Sequence, residues 1–198
     1  DLMWFSRASC DARTGDIRLS LGERGVNAYD PESLRFATDL VEASLLEFYD
    51  DLHGVGGMFI PAAWAIIIGM RDQEDIAAQV RRNWPDKLAL VFRGVNGRAP
   101  VGHELVPFTF QAAIRRCMAH ELGHALIRSG SVNPYAPDEE AGADYYAGRF
   151  DAAFGRNREL GAMFFYSIGC VGPSCTHPAP ATRAGAHAAG FDAQHSGS

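Results

Sequence analysis

His120-Glu121-Leu122-Gly123-His124 places two imidazoles and a carboxylate at a spacing suited to metal-assisted hydrolysis. Two histidines four apart on an α-helix lie one above the other on one face, close enough to grip a single metal ion. The glutamate beside the first histidine projects at a neighbouring angle, where it can reach an activated water without ligating the metal. A catalytic zinc site ordinarily has three protein ligands and keeps one position for water. Glu140 is the candidate third ligand. It stands one helical turn before Asp144, and Ala143 and Ala147 continue that side of the same expected helix. Small residues there let the helix pack closely against the one carrying the histidines. Glu140 can then coordinate the metal while Asp144 receives an N–H from a ligating imidazole. Asp138 and Glu139 are accounted for by the helix macrodipole, which favours acidic residues in a first turn.

A third element is Thr176-His177-Pro178, with Arg183 six residues beyond the histidine. Two prolines stiffen this loop, which suits it to hold an imidazole at a fixed position. The series His120-Glu121-x-x-His124, Glu140-x-x-Ala143-Asp144-x-x-Ala147 and Thr176-His177-Pro178 with Arg183 resembles the gluzincin peptidases of the CAAX prenyl protease and HtpX type. The resemblance covers residues 109–183. It implies one zinc ion per chain bound by His120, His124 and Glu140, with Glu121 as general base. It also implies that His177 approaches the metal or the substrate oxyanion, and that Asp144 and Arg183 support the site from behind. In that family an edge strand before the metal-binding helices pairs with an extended substrate. Residues 88–92 are the candidate strand, although they lack the Gly-Gly opening that the family's strand carries.

These residues need elements to position them. Asp30-Pro31-Glu32 reads as a helix start, with apolar residues at helical spacing through Leu45 and Phe48. A short strand is expected at 64–68, a helix at 72–84 ended by Pro85, and a second strand at 88–92. Residues 94–107 read as a loop. Helices are expected at 109–128, 138–154 (capped by Asp138), 158–168 and 182–189, with a frayed tail over 190–198. The expected fold is therefore α+β: a single domain over 1–198, mainly helical and zincin-like, with a small sheet whose edge strand precedes the histidine helix. Cys117 lies one turn before His120 and is expected to pack beneath the site. His53, His103, His187 and His195 lack partners at ligand spacing and read as surface or loop residues.

The composition bounds the function. A hydrophobic content of 47% supports a real core, and a net charge of −6 argues against nucleic acid as the main partner. The longest apolar run is broken by Pro61 and is too short to span a bilayer. Cys170 and Cys175 are near enough in sequence to form a small disulfide, which would imply an oxidising compartment, periplasmic or secreted; separately, the start at Asp1 is compatible with an export signal or membrane anchor removed upstream. Free thiols in a cytosolic protein are the alternative. The expected activity is zinc-dependent endopeptidase action on peptides or unfolded protein. The competing readings are a cytosolic gluzincin of the ImmA/IrrE type and a latent or inactive zinc-stabilised binding or chaperone module.

Overall fold

The computed structural model describes residues 9–10, 45–49, 57–60, 65–169, 171 and 177–196. Among them the fold is mainly helical, with six helices: α1 (Met70–Asn83), α2 (Pro85–Asn96), α3 (Leu105–Arg128), α4 (Glu139–Ala153), α5 (Arg158–Ile168) and α6 (Pro180–Ser196). From Met70 onward no strand occurs among the described residues. Before it, backbone pairing joins β1 (Ser9–Cys10), β2 (Leu45–Tyr49), β3 (Gly57–Ile60) and β4 (Ala65–Gly69) in the order β1-β2-β4-β3. β2 and β4 run parallel with Leu45 opposite Ala65, and β3 runs antiparallel to β4 with Gly57 opposite Ile68.

Three expectations change. Residues 88–92 are not a strand but the middle of α2. Leu88, Val91 and Phe92 are buried at helical spacing, while Leu90 is 68% exposed, so one face alone is buried, as in a surface helix and not a strand. Pro85 occupies the first turn of α2, where its missing N–H costs nothing; it begins a helix as well as ending one. The last helix is far longer than 182–189 and runs through most of the expected tail. Arg158 pairs with Asp192 at 2.7 Å and Arg149 bonds Gln194 at 2.9 Å, tying its C-terminal half to α5 and α4. Leu45 and Phe48, expected at the end of a helix, lie in β2; the rest of that helix falls outside the described residues.

α3 is the centre of the molecule. Ile114, Met118, Leu122 and Leu126 are all buried, together with polar residues of the same helix. Its approach to α4 is set by glycine. A Cβ on Gly123 would lie 2.6 Å from the Ala143 carbonyl oxygen and 2.8 Å from the Ala143 Cα. The two backbones therefore touch where the sequence offers only hydrogen and methyl side chains. α4 and α6 cross by the same device, with Gly148 against the His187 carbonyl and Gly190 against the Tyr145 carbonyl. Asp138 caps α4 by accepting from the Ala141 N–H at 3.0 Å, which fixes where the helix begins. Gly123→Ala should therefore force α3 and α4 apart, at a cost of about 1–3 kcal/mol of stability in urea unfolding; an unchanged midpoint would contradict the close contact.

Candidate metal centre

His120 and His124 follow one another along α3, their rings edge to face and their Nε2 atoms 3.1 Å apart. From the first turn of α4, Glu140 reaches both: its Oε2 is 3.3 Å from His120 Nε2 and its Oε1 is 3.4 Å from His124 Nε2. Among the described residues, these three side chains form the group able to hold a metal ion.

Hydrogen bonds on the far side of each ring settle which nitrogen faces the group. His120 Nδ1 donates to Asp144 Oδ1 at 2.8 Å, and His124 Nδ1 lies 2.9 Å from Glu139 Oε1. Both imidazoles so held turn an Nε2 lone pair towards the other and towards a carboxylate. Glu140 Oε2 is buried and meets no donor at hydrogen-bonding geometry. With both rings neutral these three electron-rich atoms repel, so the group calls for a cation between them, either a proton on an imidazole or a metal ion. A tetrahedral ion with bonds of about 2.0–2.1 Å separates its ligands by about 3.3 Å, which is the spacing observed.

The electrostatics agree. Burial lowers the His120 pKa, but the Asp144 charge and hydrogen bond, with Glu140 and Glu121 behind them, override it and lift the ring to about 10. Burial raises Glu140, yet the two imidazoles beside it hold its carboxyl well below the ordinary range. Asp144 has no exposed surface and is likewise held low against burial by Arg183 and His120. Arg183, from α6, grips it in a two-pronged pair with both contacts at 2.7 Å. Removing a carboxylate from such a dry pair strands a guanidinium.

Glu121 is buried on the wall of a cavity of about 350 Å³ that also contains His120, His177 and Arg183. Among the described residues, Glu139, Glu140 and Asp144 each have an imidazole or arginine at ion-pair distance, while Glu121 has none. Its carboxylate is left available for proton transfer. His177 places Nε2 3.5 Å from Glu140 Oε2 and remains partly exposed. Cys117 lines the same cavity outside the ligand group, and burial and the Glu121 charge push its thiol pKa up. The disulfide considered between Cys170 and Cys175 lies outside the described residues, as do Thr176 and His53.

The sequence reading missed three participants. Gly57, opening β3, passes so close to the site that a Cβ there would be 2.9 Å from Glu121 Oε1; the pair Gly56-Gly57 was the available signal. Glu139 holds His124, although first-turn acidity already explained it. His187 is not a surface residue: it is fully buried, with Nε2 3.1 Å from Asp151 Oδ2, and Asp151 pairs with Arg116 at 3.1 Å. Its signal was periodicity. Asp144 and Asp151 lie two turns apart on α4, facing Arg183 and His187 one turn apart on α6.

When the chain is compared with protein-family models, with curated proteins and with solved structures, nothing matches. Asp144→Ala should lower the stability of the metal-free protein by about 3–5 kcal/mol, because it leaves Arg183 buried and unpaired. Denaturant unfolding measures this, and a loss below 1 kcal/mol, the ordinary value of an exposed pair, would show that the pair is solvated.

Proposed function

We propose that this chain is a zinc-dependent endopeptidase similar to the gluzincins of the CAAX prenyl protease and HtpX type. The observation that carries the reading is the convergence of His120, His124 and Glu140 within 4.8 Å beside a cavity walled by Glu121. Bound by these three, a zinc ion supplies Lewis acidity, polarising a peptide carbonyl and lowering the pKa of a water towards about 7. Glu121 takes a proton from the attacking water as its oxygen bonds to the carbonyl carbon. The same carboxyl then delivers that proton to the amide nitrogen as the C–N bond breaks. His177 donates a hydrogen bond to the oxyanion that forms in between. Asp144 and Arg183 keep His120 in the tautomer that presents Nε2.

The substrate reading rests on β3 rather than on residues 88–92. β3 stands at the end of the strand order, and Gly57 brings its backbone against Glu121. We assign it as the edge of a small sheet that completes an α+β fold and pairs with an extended polypeptide through main-chain hydrogen bonds. The neighbouring cavity, walled by Ile76, Ala113, Phe164 and Ile168, takes an apolar side chain of that polypeptide. No described helix is long and apolar enough to cross a membrane.

Metal analysis of the purified chain paired with a casein assay tests the reading. Wild type should carry one zinc per chain and cleave casein. Glu121→Gln should keep the zinc and lose about 10²–10⁴ in rate, whereas full activity in that variant would remove Glu121 from the mechanism. His177→Ala should retain zinc and lower kcat by about 10²-fold, the effect of losing one oxyanion donor. A rise in its activity would instead make His177 a blocking ligand and the resting protein a latent protease.

A further inference from the structure

Glu139 and Glu140 are consecutive in sequence, yet their carboxylates meet opposite sides of His124. Glu140 Oε1 lies 3.4 Å from Nε2, and Glu139 Oε1 lies 2.9 Å from Nδ1. The capping requirement of α4 does not call for Glu139, since Asp138 already accepts from the Ala141 N–H. The Glu139 side chain instead bends back over α3, where the same oxygen accepts from Arg128 Nε at 2.7 Å. His124 and Arg128 are one turn apart on α3, so a single carboxylate oxygen bridges them. The arrangement parallels that of His120, whose Nδ1 meets Asp144 while Asp144 is held by Arg183. One carboxylate–arginine couple is dry and the other is at the surface.

We infer that Glu139 is the positioning residue for His124: it fixes the ring as the Nδ1–H tautomer with Nε2 directed at the metal, and Arg128 holds Glu139 in place. The inference rests on the proposed metal centre and adds a residue that neither binds the ion nor touches substrate. Its physical content is a hydrogen bond of defined reach rather than a negative charge at a helix N-terminus. Those two roles separate cleanly by substitution. Glutamine keeps the acceptor and the length but loses the charge; aspartate keeps the charge but loses the length.

Zinc affinity of the full chain, measured by competition with a chromophoric chelator, reads the difference without reference to activity. E139A and E139D should bind zinc about 10–100-fold more weakly than wild type, the usual effect of losing an outer hydrogen bond to a ligating histidine. E139Q should stay near wild type. Cobalt-substituted protein should show the same division in its visible absorption, with the bands shifted in E139A and E139D and retained in E139Q. Wild-type affinity in E139D, or a fall of E139Q to the level of E139A, would overturn the inference and leave Glu139 to the helix dipole. Should wild type itself fail to bind zinc, the metal centre falls and Glu139 with it; tight wild-type binding with indifferent variants sinks the positioning role alone.

Discussion

A carboxylate without solvent contact organises this molecule. Asp144 sits on α4 with no exposed surface, and an isolated charge there would cost several kcal/mol in lost hydration. It is tolerable because Arg183 comes to it from α6 and His120 from α3. Each partner must arrive at hydrogen-bond distance, so three helices are fixed against one another by one side chain. The requirement extends outward. α3 and α4 can come this close because Gly123 faces Ala143, and α4 and α6 because Gly148 and Gly190 offer no side chain at their crossing. A second buried set, Arg116, Asp151 and His187, repeats the bracing two turns along α4. The close packing and the buried charges are therefore two expressions of one arrangement.

Much of this was legible in the sequence wherever a residue type admitted few roles. The histidine pair, the Glu140–Asp144 turn and the cap at Asp138 each combine a spacing with a chemical need, and the helices bearing them lie near their expected positions. Residues 158–168 show an uninterrupted apolar period and coincide with α5. The misreading of 88–92 has a definite cause. A five-residue apolar run fits a buried strand or a helix equally well until its exposure is known, and Pro85 is compatible with both a stop and a start. The length of α6 was hidden because its C-terminal half is held by one ion pair, one hydrogen bond to Gln194 and the close backbone crossing at Gly190 rather than by a recurring row of large apolar residues. Glu139 was hidden differently: a long side chain's direction is set by its partners, and no spacing rule specifies it.

The charges around the candidate centre give the arrangement its chemical direction. Four carboxylates, on Glu121, Glu139, Glu140 and Asp144, stand against two guanidiniums, on Arg128 and Arg183. With neutral imidazoles, two negative charges remain unmatched, which is the charge of one divalent ion. The same imbalance lifts the His120 ring to about 10 in spite of burial, so this pocket retains a cation strongly, whether a proton or a metal. A proton neutralises only one of those charges and satisfies one nitrogen, whereas a tetrahedral dication meets both Nε2 atoms and the orphaned Glu140 oxygen at once. Once such an ion is in place, three of the four carboxylates are committed to it or to its ligands. Glu121 alone stays on the cavity wall outside these pairings, so the residue to which the proposed mechanism gives the proton is the one the charge balance leaves free.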